Sequence, residues 1–289
     1  MRVPYLKWIV IAVVLLGAAL GYYLLHGEEE AAPSLPVVEE LGPKHEVIGR
    51  SVEGRSIDAY TYGSGDTELL FVGGVHGGYE WNSVLLAYTF MDYFDSNPDV
   101  IPAGFAVTVI PSANPDGLYK IVGKEGRFER TDVPDSADQS LGRFNANGVD
   151  LNRNFDCKWQ PESTWRSQTV SAGTAPFSEP ESKAIRDYVL KAQPDAAIFW
   201  HSQASAVYAS ECENGVIPET VAIMNTYANA AGYNAVESFD SYTVTGDVEG
   251  WLASIGIPAI TVELRTHETI EWEGNRDAVK AVFGHFLGK

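Results

Sequence analysis

The sequence predicts an α/β domain in which helices flank a central mixed, mostly parallel sheet, preceded by one amino-terminal transmembrane helix. Three observations carry the prediction. Short, strongly apolar runs at 69–73, 105–110, 196–200 and 258–263 read as buried strands. Helical patterns occupy 81–95, 179–192, 217–231 and 275–287, with Ser178 and Glu181 reading as a capping box that opens the second of them. The two kinds of segment alternate along the chain, the order expected of a sheet covered by helices on its faces.

The chain falls into three parts. Residues 1–26 contain an uncharged apolar run from Trp8 to Leu25, about the length of one membrane span. Arg2 and Lys7 precede it and Glu28, Glu29 and Glu30 follow, so the positive-inside bias reads residues 8–25 as an anchor in the lipid bilayer and places the remaining chain outside the cytoplasm. The other reading is a signal segment cut near Ala18, Ala19 or Gly21, which would make the protein secreted. Residues 27–40 combine acidic side chains with two prolines and suit an extended tether. Residues 41–289 form one folded domain, with no internal repeat and no later shift in composition.

Twenty Lys and Arg against thirty-nine Asp and Glu give a formal charge of −19. Only two basic and five acidic residues lie in the first forty, so the domain itself is acidic and its field repels a phosphate backbone. Nucleic acid is therefore not an expected partner. Two cysteines cannot build a four-thiolate zinc site or a dense disulfide framework, so any metal must take His and carboxylate ligands.

The chemically unusual residues fall just after the apolar runs, at the carboxyl ends of strands, where open α/β sheets place ligands. LLFVGG leads to His76, with Glu80 four residues on; AAIFW leads to His201; PAITV leads to Glu263. His76, Glu80 and His201 supply three N or O ligands and leave a fourth position for water, as hydrolytic zinc sites require. Each signal also has an ordinary reading, a loop cap for His76 and Glu80 and a plain strand-end carboxylate for Glu263.

The segment Asn114-Pro115-Asp116-Gly117, the run GVDLNRNF at 148–155 and VEL at 262–264 alter that balance. The order His…Glu, NPDG, GVDLNRNF, His-Ser, VEL resembles that of the zinc carboxypeptidase family, the carboxypeptidase A-like metallopeptidases, from about Gly49 to the final helix. NPDG alone reads as a turn. The resemblance implies one zinc per chain, held by His76, Glu80 and His201, with Glu263 as the general base and acid that activates the water at the zinc. It implies that Asp150 hydrogen-bonds the first zinc-binding His, and that Asn152 and Arg153 hold the terminal carboxylate of the substrate. Arg143 matches the arginine that stabilises the oxyanion, with Arg127 and Arg130 as competitors. Tyr242 resembles the mobile phenol that caps the substrate, Tyr62 and Tyr79 being alternatives. Counted from Tyr242 and Trp251, Glu249 falls at the base of the pocket for the departing side chain, where a carboxylate would favour Lys, Arg or a diamino acid; a solvated surface charge is the other reading.

The implied activity is hydrolysis of the carboxy-terminal amide bond of peptides. The alternatives are a cell-wall γ-D-glutamyl-diamino acid amidase acting on muropeptides, an N-acyl amino acid deacylase and a catalytically silent binding domain. Cys157 follows the Arg153 segment and Cys212 the His201 segment, so both flank the cleft and are expected to pair in an oxidising compartment. His26, His45, His267 and His285 read as structural or solvated. Two departures from the family pattern stand out: three residues rather than two separate His76 from Glu80, and Gly77, Gly78 and Tyr79 replace the arginine often found just before the Glu ligand.

Overall fold

The computed structural model describes residues 12, 13, 15–18, 20–22, 42–135, 138–239 and 242–289. The chain divides into two units, residues 1–41 and 42–289. In the first unit the described residues are helical; the rest of the expected anchor at 8–25 and the whole tether at 27–40 lie outside the described residues. Among the described residues no helix is long and apolar enough to cross a membrane.

The second unit contains strands β1 (Lys44–Arg50), β2 (Ser56–Gly63), β3 (Thr67–Val72), β4 (Phe105–Ile110), β5 (Glu162–Trp165) and β6 (Gln168–Ser171). They are followed by β7 (Ala196–Ser202), β8 (Ala206–Ala209), β9 (Glu211–Cys212), β10 (Gly215–Val216), β11 (Asn234–Val236) and β12 (Ala259–Leu264). Its helices are α1 (Trp81–Ser96), α2 (Pro115–Val122), α3 (Pro180–Ala192), α4 (Pro218–Ala231), α5 (Val248–Ser254) and α6 (Trp272–Leu287). Eight strands join in one sheet in the order β1-β2-β4-β3-β7-β12-β8-β11, while β5 pairs with β6 and β9 with β10 in separate hairpins. The central strands β4, β3, β7 and β12 run parallel, and antiparallel pairings flank them on both sides. The predicted mixed sheet with flanking helices is thus the observed architecture.

Alternation along the buried strands divides the core between the two faces. Leu69, Phe71, Ile198, Trp200, Ile260 and Val262 pack on Phe90 and Phe94 of α1, Tyr227 of α4 and Phe283 of α6. Leu70, Val72, Phe199 and Ala259 turn the other way, onto Ile185 and Val189 of α3 and Trp251 and Leu252 of α5. Each large side chain fully buried in these layers contributes about 1.5–3 kcal/mol relative to exposure. Because His201 alternates with Trp200 and pairs with Glu263 in the β7–β12 register, both site residues face the α5 side of the sheet.

Three expectations are revised. No capping box opens α3: Pro180 occupies its first turn behind Glu179, and no side chain caps it. Ser178 Oγ donates to Glu179 Oε1 at 2.8 Å, and the Glu181 carboxylate is drawn away to Val52 N and Asn145 Nδ2. Asn114-Pro115-Asp116-Gly117 is more than a turn, because Asn114 Oδ1 accepts from Gly117 N at 2.9 Å and Pro115 supplies a preset φ, so the segment starts α2. The outer strands β1, β2, β8 and β11, of which β1 and β11 are the edges, have no long apolar run, and pairing with their neighbours is what defines them.

Cys157 and Cys212 form a disulfide with their Cα atoms 6.1 Å apart, fastening the segment after Arg153 to the β9–β10 hairpin. The bridge closes a separation of 55 residues. Replacing both cysteines by Ser is expected to lower unfolding stability by about 2–4 kcal/mol, chiefly by releasing the unfolded chain. Urea denaturation of the variant and the parent measures this, and equal midpoints would contradict it.

Candidate metal centre and active site

The site begins with a tight turn. After β3, Gly77 adopts φ +46°, and a Cβ there would meet Gly142 O at 2.7 Å and Gly117 Cα at 2.9 Å. This left-handed residue absorbs the extra position between His76 and Glu80 in one turn of 3-10 helix, Gly77–Glu80. His76 and Glu80 are thereby brought together, with Nδ1 2.7 Å from Oε1. Glu80 occupies the N-cap position of α1, where the helix dipole favours a carboxylate.

From β7, His201 brings its Nδ1 to 2.9 Å from Glu80 Oε2 and 3.2 Å from His76 Nδ1. The opposite ring nitrogens both face carboxylates. His76 Nε2 lies 3.5 Å from Asp150 Oδ1, and His201 Nε2 lies 3.3 Å from Glu249 Oε1. Carboxylates at Nε2 keep the proton there and leave the Nδ1 lone pairs converging on one point. Two nitrogens each about 2.0–2.1 Å from a tetrahedral zinc stand about 3.3 Å apart, close to the spacing found. His76, Glu80 and His201 therefore fit a single zinc ion, with one ligand atom from each within 4.8 Å of the others.

Electrostatics favour a cation at the same point. Burial alone would raise the Glu80 carboxyl, but the charges and hydrogen bonds of His76 and His201 hold it well below the usual carboxylate range. Burial opposes charge on His201 too, yet Glu80 and Glu249 raise its pKa well above normal. A metal ion at Nδ1 takes the place of the proton these carboxylates attract.

The remaining predicted residues are placed as follows. Glu263 is half-buried at the end of β12 beside His201, and burial, reinforced by the charge of Glu80, pushes its carboxyl up to about 8. Asp150 is fully buried; burial would raise it, but Arg143, His76 and Arg153 hold it far below its ordinary range. Arg143 donates from Nε and Nη2 to Asp150 Oδ2 at 2.9 and 2.8 Å, and its Nη1 stands 3.9 Å from Glu80 Oε1. Its competitors are engaged elsewhere, Arg127 with Asp92 and Arg130 with Asp135 and Glu268. Asn152 spends its side-chain carbonyl on Val248 N at 2.9 Å, which leaves only the amide donor for a ligand. Arg153 donates to the carbonyls of Asn152 and Thr164 at 2.6 and 3.2 Å.

Glu249 is buried beside a candidate metal ligand. Asp247 caps α5 by accepting from Gly250 N at 2.7 Å, and this helical start turns Glu249 inward, 2% exposed, onto His201. Tyr242 packs edge-on against Phe239, with ring centroids 4.9 Å apart. Tyr62, one of its alternatives, lies in the core with its hydroxyl directed at Met91 O, while Tyr79 forms part of the site wall.

Trp165, Arg166, Asn82, Ser202 and His267, which the sequence reading did not assign to the site, join Tyr79 there. Tyr79 lies between Trp165, 5.2 Å away, and His267, 4.6 Å away, and its hydroxyl accepts from Arg166 Nη2 at 2.9 Å. Asn82 donates to the carbonyls of Thr266 and Thr269, so its Oδ1 accepts from Ser202 Oγ, and Ser202 in turn accepts from His267 Nδ1 at 2.8 Å. Burial lowers the His267 pKa. Trp165 also lies under the Arg143 guanidinium at 4.5 Å.

Two imidazoles and a carboxylate converging at the strand ends, with a second carboxyl beside them, define a mononuclear zinc-hydrolase type of centre. Residues 44–274 match the model of the zinc carboxypeptidase family, and the chain belongs to that family. It is 26% identical over 240 residues to γ-D-glutamyl-L-diamino acid endopeptidase 1 of Lysinibacillus sphaericus, covering 75% of this chain and 59% of that protein. It is 25% identical over 261 residues to carboxypeptidase B of Astacus astacus, covering 87% and 78%. Among solved structures, bovine thrombin-activatable fibrinolysis inhibitor in complex with tick carboxypeptidase inhibitor matches with TM-score 0.67 at 20% identity, covering 86% of this chain and 91% of that one. Murein-tripeptide amidase MpaA of Escherichia coli O157 matches with TM-score 0.58 at 22% identity, covering 85% and 92%. The chain spans just under three fifths of the length of the first curated relatives it matches, 59% and 58%.

His201→Ala is expected to abolish stoichiometric zinc binding, which metal analysis after dialysis reads directly. Glu249→Gln keeps all three ligands but loses the charge at His201 Nε2, and zinc affinity should fall about 10–100-fold. Competition with a chromophoric chelator measures that change; an unchanged affinity would remove Glu249 from the metal centre.

Proposed function

We propose that the domain hydrolyses an amide bond next to a free carboxylate, as a metallocarboxypeptidase-type enzyme. The observation that carries this reading is the pairing of Glu263 with His201 across β12 and β7, which sets a carboxyl of raised pKa beside three convergent ligand atoms. Zinc in this ligand set supplies Lewis-acid polarisation of a carbonyl and acidifies a water. Glu263, whose strand position sets it beside His201, takes the proton of the attacking water and returns it to the departing amine nitrogen. Arg143 is fixed by Asp150 through two of its donors, and its Nη1 remains for negative charge developing on the carbonyl oxygen. The Asn152 amide and the Arg153 guanidinium receive the carboxylate of the leaving residue.

Two substrate classes satisfy this geometry. Removal of a carboxy-terminal residue from a peptide uses Asn152 and Arg153 directly. Cleavage between γ-D-glutamate and a diamino acid in muropeptides is supported by the relative from Lysinibacillus sphaericus, whose name states that bond. An N-acyl amino acid deacylase would use the same groups on a shorter acyl partner. A silent binding domain is disfavoured by the complete ligand set and by Glu263. A panel of free-carboxylate peptides, muropeptides and N-acyl amino acids separates these readings. Glu263→Gln should retain zinc while turnover of the best substrate falls at least about a hundredfold; full activity in that variant would overturn the mechanism.

The proposal extends to location. The uncharged run at 8–25 behind Arg2 and Lys7 supports an anchor with the domain outside the cytoplasm, and the Cys157–Cys212 bridge suits an oxidising compartment. Protease added to intact cells should release an active fragment, and a domain reachable only after lysis would refute this placement.

A further inference from the structure

The β5–β6 hairpin carries one arginine that the zinc-hydrolase reading does not use. In this acidic domain most arginines already hold a carboxylate: Arg55 holds Asp116, Arg127 Asp92, Arg130 Asp135, Arg143 Asp150, Arg186 Asp187 and Arg276 Asp277. Among the described residues Arg50, Arg153, Arg166 and Arg265 form no such pair; Arg50 donates to Gly54 O and Arg265 lies over Tyr233, while the hairpin links Arg153 and Arg166. Thr164 O accepts from Arg153 at one point of β5, Trp165 lies under Arg143 at the next residue, and Arg166 begins the turn beyond it. Arg166 is exposed, but its guanidinium has a defined seat, with Nη2 on the Tyr79 hydroxyl at 2.9 Å and the Trp165 ring 5.4 Å away. Tyr79 is itself held between Trp165 and His267 and immediately precedes the ligand Glu80. The site wall therefore carries a guanidinium with no carboxylate partner, Arg166, set through Tyr79 beside Glu80 and His267, while Arg153 lies toward Val248 and Gly246 through Asn152 and Phe155.

We infer that Arg166 is a specificity-determining residue that receives a carboxylate carried by the acyl-side residue of the substrate, opposite the terminal carboxylate bound by Arg153. The inference rests on the amide-hydrolase reading above and narrows its substrate class. An ordinary peptide presents no charge at its acyl-side backbone. A γ-linked glutamyl residue does, because its α-carboxylate stays free while the γ-carbonyl enters the scissile amide. Such a substrate places one carboxylate on each side of the bond, matching two cations joined by one hairpin. Arg166 occupies the role left open by the arginine missing before Glu80: Gly77, Gly78 and Tyr79 bring no charge of their own, and Tyr79 recruits one from the hairpin. A planar guanidinium with most of its donors still unpaired suits a carboxylate in bidentate geometry.

The test compares two acyl-side products that differ only at that carboxylate, L-alanyl-D-glutamate and L-alanyl-D-isoglutamine, whose α-carboxylate is an amide. Both are titrated calorimetrically into the zinc-loaded protein and its Arg166→Gln variant. The parent is expected to bind the glutamate form about five- to tenfold more tightly, the scale of one partly exposed charge-assisted contact. Arg166→Gln should bring the two affinities to parity, and Arg166→Lys should restore part of the difference. Equal affinities in the parent, binding of neither product, or a ratio that Arg166→Gln leaves unchanged would overturn the inference. Because the readout is equilibrium binding, failure of the hydrolase reading shows separately, as absent turnover with the binding preference intact.

Discussion

Burial of the Glu80 carboxylate is the constraint around which the site is organised. An anion that is 3% exposed must be compensated, and the compensation runs through an unbroken series of contacts: Arg143 to Asp150, Asp150 to His76, His76 to Glu80, Glu80 to His201, and His201 to Glu249. Glu80, Asp150 and Glu249 outnumber Arg143 as fixed charges. Such an arrangement in a low-dielectric interior demands positive charge at its centre. A divalent cation would supply it by taking over the Nδ1 contacts that His76 and His201 make with Glu80, at side chains that are already positioned.

The scaffold serves this network with elements of very different character. Parallel strands buried on both faces bring His201 and Glu263 side by side through backbone pairing, a geometry that side-chain changes elsewhere can hardly disturb. Helix α5 adds Glu249 from one side of the sheet. The β5–β6 hairpin adds Trp165 and Arg166 from outside, held by aromatic contacts with Tyr79 and by the hydrogen bond from Arg153 to Thr164 O. Rigid backbone therefore fixes the reacting centre, while side chains on a small hairpin shape what can approach it.

The central strands, the main helices and the three ligands were legible in the sequence because each has a local signature: an apolar run, a helical pattern, or a ligand at the end of a strand. Arg143 and Asp150 were legible through the order of motifs. That Glu249 faces His201 was not legible, because counting from Tyr242 and Trp251 took no account of a helix at this segment. Asp247 ahead of Val248, Trp251 and Leu252 was the signal for a capped helix, and a helix there turns residue 249 inward. Tyr242 was placed by the same count, and its packing on Phe239 follows no local pattern. Arg166 had no sequence signature at all. It lies in a polar hairpin, and its partner Tyr79 is 87 residues away, a distance only the fold can close.

The turn at Gly77 also has a bearing on how such a site can diversify. Gly77, Gly117 and Gly142 meet so closely that a Cβ on any of them would fall within 3 Å of a neighbouring backbone atom. This side of the cleft is a floor made of main chain, and lineages that alter the enzyme cannot remodel it by point substitution without moving His76 or the Arg143 loop. The hairpin opposite is short, largely exposed and tied to the sheet by few bonds. Variation in what is recognised can accumulate there while the reacting atoms stay fixed, so that new substrate preferences arise by redecorating a single wall.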